Sequence, residues 1–406
     1  MRETIGLNVA LRGSVLLLLL GAVAMLIAAC GSDPTPTPKP KPTATPVPGA
    51  PTPTPRAAWE VEWEEVQAAA KVEGEIVIAM GGSASRNFAP RFDAFEDQTG
   101  IKVIAATGRG SQQVEKIRSE REAGIYSTDV WMTGTTSTGK MNAHEALKHN
   151  FLDHVILPDI ADTKNWLEGK HWFANGLENT AMAFCASPSV QFAYNTDLVD
   201  PATLGDTYWN LVDGRFKGKI VGILPWEPGQ RMSEHYINVP SLGEPFIREL
   251  ILNQDTEWVA DGQQGVDLLA NGVYSIFMPT GNASDDIDDL AAEGLPVANH
   301  FGGGFKEGGV IAMGGSCSAA LLKDSPHPNA QKVFVNWWYG ATNLYRVGGI
   351  TQDQTLRTDV AIDNIDPKYV RDPNAKYLFP ETNPDLAGGT PGLDFNRKIA
   401  EEAGLR

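Results

Sequence analysis

The sequence predicts an α/β protein built in two lobes, and three observations carry that prediction. Between Glu75 and Thr138 an apolar run, a small polar loop and a helical pattern recur three times. That alternation argues for a parallel sheet with helices on its faces. About 350 residues follow the proline-rich stretch ending at Pro55, more than one hydrophobic core usually serves. The apolar fraction, 42%, is that of a globular chain.

The elements follow in order. Trp59, Trp63, Val66 and Ala70 recur at spacings of three and four, with glutamates between them, so residues 59–71 form an amphipathic helix that Gly74 stops. Glu75–Ala79 is a first strand and Met80–Ser85 a small loop. Ala89–Gln98 is a helix with Phe92 and Phe95 inward, ended by Gly100. Ile101–Ala105 is a second strand, Thr107–Ser111 a Gly-rich loop and Gln112–Ala123 a second helix of this unit. Asp129–Met132 is a third strand leading to a polar loop, Thr133–Thr138. Further on, Ile220–Leu224 and Tyr274–Met278 are strand-like and are followed by Trp226-Glu227 and Thr280-Gly281-Asn282. In such sheets ligands lie beyond the carboxyl ends of the strands, which are these loops.

Arg2 and Arg12 precede an apolar run from Val15 to Ala29, and Ile27-Ala28-Ala29-Cys30 resembles a bacterial lipobox. The resemblance implies a signal peptide at 1–29, cleavage before Cys30 and a lipid on its sulfur. A spanning helix needs about 20 apolar residues, more than this run supplies; an uncleaved anchor is the other reading, and both put the rest of the chain in an extracytoplasmic position. Residues 30–58 then form the lipidated cysteine and its stalk. Ten prolines lie between Pro34 and Pro55. They forbid helix and sheet and favour an extended, stiff spacer of roughly 70 Å at about 3.1 Å per residue.

The net charge of −17 argues against nucleic acid as a partner. Besides Cys30 the chain holds Cys185 and Cys317. Two cysteines make no disulfide scaffold. Two buried thiols are the simple expectation, and an oxidising compartment leaves pairing open.

Several motifs in order resemble the extracellular solute-binding proteins of ABC importers. They are Gly81-Gly82-Ser83, Thr99-Gly100-Ile101-Lys102-Val103, Gly108-Arg109-Gly110-Ser111 and Asp129-Val130. Ala193-Tyr194-Asn195-Thr196-Asp197-Leu198 is similar to the family's first crossover strand. Trp209-Asn210-Leu211 before Phe216-Lys217-Gly218-Lys219-Ile220, and Pro326-His327-Pro328-Asn329-Ala330 before an apolar helix, extend the match. The resemblance implies a two-lobed periplasmic-binding-protein type II fold with a ligand cleft between lobes joined by crossover strands. It places the first lobe at 59–190 with a return at 309–340, the second at 191–308, and a C-terminal helical segment, 341–406, packing on both. Gly308–Leu322 is then the second crossover, and Cys185 and Cys317 lie near the hinge. The implied partners are a small-molecule or ion ligand, an ABC permease and, through the lipid anchor, a membrane; the implied state is a monomer without cofactors.

Arg109 is the sharpest ligand candidate, because it sits in a Gly-rich loop just before a helix start. Free N–H groups there favour an anion and the guanidinium adds a planar donor fork. Ser111 lies beside it. Ser83, Thr133 and Thr135 point to the same rim, although small hydroxyl residues also serve simply as turn formers. Tyr194, Glu227 and Asn282 are the second-lobe candidates, with Tyr194 divided between cleft and hinge packing. The nearest branch resembles the ferric-iron or small-oxyanion type, whose ferric members present two adjacent tyrosines. The corresponding stretch here is Thr280–Ser284, and the chain has no Tyr-Tyr pair. A small anion is therefore the expected solute, with ferric ion as the alternative.

Other constellations carry no chemistry. Asp285, Asp286, Asp288 and Asp289 lack calcium-loop spacing and read as an acidic first helical turn. His144, His149 and His154 share no helix face and read as solvated. Gly314-Gly315-Ser316-Cys317-Ser318 lacks the last glycine of a nucleophile elbow. No catalytic residue and no metal site is expected. A secreted enzyme and a sensory module using the same cleft are the remaining alternatives.

Overall fold

A computed structural model describes residues 56–227, 236–237, 239–281, 283–383 and 390–406. The signal segment, Cys30, most of the stalk and Asn282 lie outside the described residues.

Helix α1 (Ala58–Glu73) opens the described chain and Gly74 ends it in the left-handed conformation. Then come β1 (Glu75–Met80), α2 (Gly82–Thr99), β2 (Lys102–Thr107), α3 (Gly110–Glu122), β3 (Val130–Met132) and α4 (Thr135–Ala143). β1 pairs in parallel with β2 on one side and β3 on the other. α2 and α3 begin earlier than their sequence predicts, at Gly82 rather than Ala89 and at Gly110 rather than Gln112, and α4 takes up most of the stretch read as the loop Thr133–Thr138. Small Gly/Ser-rich stretches have weak helix propensity and read as loop. The first turn of a helix tolerates them because its N–H groups have no intrahelical partner anyway.

The chain next forms β4 (Ala181–Ala183) and β5 (Ser187–Ser189), then β6 (Phe192–Asn195), β7 (Ile220–Ile223), β8 (Glu257–Val259), β9 (Ile276–Phe277) and β10 (Val297–His300). It returns through β11 (Gly309–Ala312), β12 (Ser318–Leu321) and, later, β13 (Tyr377–Leu378). Three sheets result, ordered β2-β1-β3-β12-β4, β10-β6-β9-β7-β8 and β13-β11-β5. The first two are the sheets of the lobes. The third joins them, with β5 antiparallel to β11 and β13 parallel to it.

The crossover differs from its expected place in two ways. The segment from Ala193 to Leu198 is not the crossover; β6 lies inside the second-lobe sheet, between β10 and β9. The crossover is β5, which ends four residues before Ala193. Its Pro188 faces Ile311 in the ladder, and a proline without an N–H is admitted because β5 is an edge strand. The return, expected as one run from Gly308 to Leu322, is two strands with a turn between them. β12 enters the first sheet antiparallel to β3 and β4, so that sheet is mixed rather than purely parallel.

Each lobe has its own core. Ile76, Ile78, Phe95, Trp131 and Trp338 belong to the first; Phe192, Tyr208, Tyr236 and Phe246 anchor the second. The C-terminal segment packs on both lobes. Leu344, Val347 and Leu356 pack in the first core, whereas Ile399 of the helix Thr390–Glu402 packs in the second.

Buried polar groups fasten the return to the first lobe. The Asp129 carboxylate, fully buried, accepts from Val77 N at 2.7 Å, Ser325 Oγ and His327 N, and lies 2.9 Å from His327 Nδ1. Thus Asp129-Val130 and the Ser325–His327 element, far apart in sequence, meet at one carboxylate. Glu73 accepts from Asn329 N and Ala330 N at the start of the helix Pro328–Trp338, where a negative group suits the free N–H groups. Of the histidines expected to be solvated, His154 is buried beside Lys148, whereas His149 is exposed with its Nδ1 2.9 Å from Thr180 Oγ1.

Cys185 and Cys317 form a disulfide, so the expectation of two free thiols is overturned. The bond ties the residue two before β5 to the residue before β12, on the first-lobe side of the hinge sheet. It closes a loop with a sequence separation of 132. Restraining so long a loop in the unfolded chain stabilises a protein by about 2–5 kcal/mol. The Cys185→Ser/Cys317→Ser double variant is expected to lose that much in chemical denaturation. Reductant should lower the wild-type transition and leave the variant's unchanged, and denatured but unreduced protein lacking Cys30 should titrate no thiol.

Candidate functional site

The carboxyl ends of β1, β2 and β3 lie side by side because the three strands run parallel. Each strand feeds a helix start, so three sets of free N–H groups gather on one rim of the first lobe. Arg109 occupies the cap position before α3, and its backbone N–H donates to Gln112 Oε1 at 3.3 Å. Its guanidinium is exposed and makes no hydrogen bond or ion pair among the described residues. Ser111 is exposed on the first turn of α3. Gly110 lets the loop pass tightly over the third loop: a Cβ there would overlap the Ser137 hydroxyl and come within 3.9 Å of Thr133 Oγ1. Thr133 and Thr135 are buried, and neither hydroxyl has a partner. Arg109, Ser111, Thr133 and Thr135 therefore belong to one patch.

Ser83 stands apart from that patch. It is exposed near the start of α2 and lines a chamber of about 330 Å³ together with Asn87, Gly314–Cys317, Thr351 and Asp353. A second chamber, of about 200 Å³, is lined by Ser187, Ser189, Ser284, Phe301, Met313 and Tyr369, and again by Gly314 and Asp353. The two chambers thus meet along the hinge strands. The first is walled by the first lobe, and the second reaches Ser284 at the start of the second-lobe helix Ser284–Ala292.

Asp353 is the residue that sequence reasoning missed. It lies in irregular chain after the helix Ala341–Thr351, and nothing local marks it. Gly314 makes room for it: a Cβ on Gly314 would meet Asp353 Oδ2 at 2.6 Å. The Ser187 hydroxyl hydrogen-bonds the carboxyl, yet burial pushes its pKa up to about 7, with Glu381 adding like-charge repulsion. Cys317 Sγ lies 3.4 Å from Asp353 Oδ2, but a disulfide sulfur has no proton to donate. Cys185, Cys317 and Asp353 are close enough together to resemble metal ligands. The two sulfurs are bonded to each other, however, and thiolates are what a metal requires.

The second-lobe candidates separate. Tyr194 packs in the second-lobe core, and burial raises its phenol pKa; its ring is packing. Glu227 is exposed just after Trp226. Trp226 itself is buried against Trp258, with ring centroids 5.5 Å apart, so it offers no free face for stacking. Thr280 is fully buried with an unpartnered hydroxyl. Asp288 of the second lobe reaches across to the hinge: it accepts from Lys368 Nζ at 2.7 Å and from Tyr369 OH at 2.9 Å. Lys368 and Tyr369 belong to the segment that packs on β5.

Residues 91–235 match the family model of bacterial extracellular solute-binding proteins. No curated protein sequence matches the chain. Solved structures show the same fold at low identity. The FutA (IdiA) protein of Trichodesmium, in complex with iron and citrate, is 18% identical over 82% of this chain and 100% of its own, with a TM-score of 0.59. A putative extracellular solute-binding protein from Bordetella parapertussis is 17% identical over 81% of this chain and 99% of its own, with a TM-score of 0.61. Iron-bound HitA of Pseudomonas aeruginosa is 17% identical over 80% and 99%, with a TM-score of 0.51. The architecture is therefore the two-lobed, type II periplasmic-binding-protein fold.

The raised pKa of Asp353 has a definite sign for stability. The native carboxyl keeps its proton up to about 7, whereas an unfolded one releases it near 3.8. The native state thus holds the extra proton, and this group's contribution to stability falls as pH rises between those values. Asp353→Asn cannot ionise. Its stability relative to wild type is expected to increase from pH 4 to pH 7 and then level off in denaturant melts; a difference that stays flat contradicts the assignment.

Proposed function

We propose that the chain is the extracytoplasmic solute-binding component of an ABC importer, capturing a small solute between its lobes and presenting it to a permease. One observation carries this reading. Two lobes with separate cores are joined by short paired strands, and open chambers lie where those strands and both lobes meet. Strands of three and four residues bend with little loss of packing, because of β5 and β11 only Ile311 belongs to a lobe core. Hinge closure around a bound solute is the motion such a build permits. The family match over residues 91–235 supports the same reading.

Arg109 is a cation of the rim without a partner among the described residues, and it takes the acidic group of a solute on this reading, with Ser83, Ser111, Thr133 and Thr135 as neutral donors. Glu227 and Asn282 complete the set from the second lobe. The names of FutA and HitA raise iron as the solute. Against it, the second-lobe stretch after β9 begins with Thr280, and no adjacent tyrosine pair exists. The single phenol lining the chambers, Tyr369, already donates to Asp288. Binding is reversible and noncovalent on this reading: Cys317 is oxidised, and a receptor returns its solute unchanged.

Cys30 carries the lipid, and the proline-rich stalk holds the cleft near its transporter. A diffusing receptor would escape a cell that lacks an outer barrier; a tethered one is kept at high effective concentration.

Mass spectrometry of material released from gently denatured protein should reveal a bound small molecule. Added back, it should raise the melting temperature in a concentration-dependent way. Arg109→Ala is expected to weaken an acidic solute roughly 10- to 100-fold, the usual range for a lost charged hydrogen bond; unchanged affinity removes Arg109 from the site. Cys30→Ala should move the protein from the membrane fraction to the soluble one.

A further inference from the structure

We infer that the floor of the cleft is a subsite for an organic cation, an ammonium or guanidinium group of the solute, held by Asp353 and flanked by the rings of Tyr369 and Phe301. The inference rests on the reading of the cleft as the solute site. It names one chemical feature of that solute.

The first argument is charge. Asp353 lines both chambers, and among the described residues lining them it is the one charged side chain. It has no ion-pair partner among the described residues. Around its carboxyl stand a serine hydroxyl, a sulfur without a proton and, at longer range, a second carboxylate, Glu381. Glu381 itself already accepts from Met313 N. A partly buried carboxyl so placed is poorly compensated, and a cationic ligand would supply the missing counter-charge.

The second argument is shape and surface. The 200 Å³ chamber brings Tyr369 and Phe301 together with Asp353, their rings edge to face at 5.9 Å. Aromatic faces attract organic cations. Apolar walls, Met313 and Val190 in this chamber and Ile350 in the other, suit the carbon chain of an amine. The same walls disfavour a bare inorganic cation, which needs several oxygen ligands where the chambers offer one carboxylate. Gly314 is the structural concession that lets the carboxylate stand there.

Titration provides a further handle. An ammonium group would draw Asp353 into its ionised form. Two of the groups beside it keep one charge state meanwhile, Tyr369 staying protonated up to about 12 and the disulfide not titrating; Glu381 is the other carboxyl that faces it. Affinity for an amine should therefore rise between pH 6 and pH 8.

The test uses the mature chain with its disulfide intact and five matched probes: pentylammonium, 1,5-diaminopentane, 5-aminopentanoate, pentanoate and pentanol. At least one amine is expected to raise the melting temperature with concentration at pH 8, while pentanoate and pentanol do not. Asp353→Asn, checked for native near-UV circular dichroism, should weaken that amine about 10- to 100-fold. The solute released from wild-type protein should carry an amine or guanidinium, a result independent of any variant. The inference is overturned if no amine binds, if Asp353→Asn binds amines as well as wild type, if pentanoate or calcium binds in their place, or if the released solute has no cationic nitrogen. Binding of pentanoate or of a non-cationic released solute leaves the receptor reading standing. Chemical turnover of the solute, or the absence of any bound or bindable small molecule, defeats the receptor reading itself.

Discussion

The pairing of β5 with β11 is the constraint on which the rest of this molecule depends. The chain passes between lobes along those two strands, and their ladder runs for three residue pairs, Ser187–Ala312, Pro188–Ile311 and Ser189–Val310. A ladder so short cannot carry a core of its own. The lobes are therefore packed independently, and their relative position is set by the hinge and by whatever lies in the cleft. The Cys185–Cys317 bond sits at the first-lobe end of this ladder. It holds the two strands together where they leave the first lobe and leaves their second-lobe ends to bend.

The hinge also builds the site. Ser187 of β5, Gly314 after β11 and Asp353 from the returning chain converge there, and Cys317 of the disulfide lines the same chamber. A group that closes on a solute at this place touches the elements that must move. The contact of Asp288 with Lys368 and Tyr369 ties the second lobe to the hinge over the second chamber. Lys368 is solvent-exposed, so the ion pair contributes little to stability; what it provides is register between the second lobe and the hinge.

Much of this was legible in the sequence. The three strands of the first lobe stand where their apolar runs put them, because such a run is recognisable without a distant partner, whereas the helix starts were hidden in small Gly/Ser-rich stretches that read as loop. The rim carrying Arg109, Thr133 and Thr135 followed from the rule that ligands gather at strand carboxyl ends. Tyr194 was harder: an aromatic residue in a strand buries its ring wherever the sheet packs, and here the sheet belongs to the second lobe. The crossover was misplaced for the same reason, since β5 is three residues long, contains a proline and has no strand signature.

The sequence by itself determined the local and the compositional: the strands of the first lobe, the apolar patterning of its helices, and a net charge of −17. Each is written in consecutive residues. Only the tertiary structure decided that Cys185 bonds Cys317, that Asp129 fastens Ser325 and His327, and that Asp353 stands at the cleft floor against Gly314. These are contacts between residues 39 to 198 positions apart, made only when the fold brings both partners into the interior. No local pattern records such a pairing, because each partner becomes significant only when the fold brings the other to it.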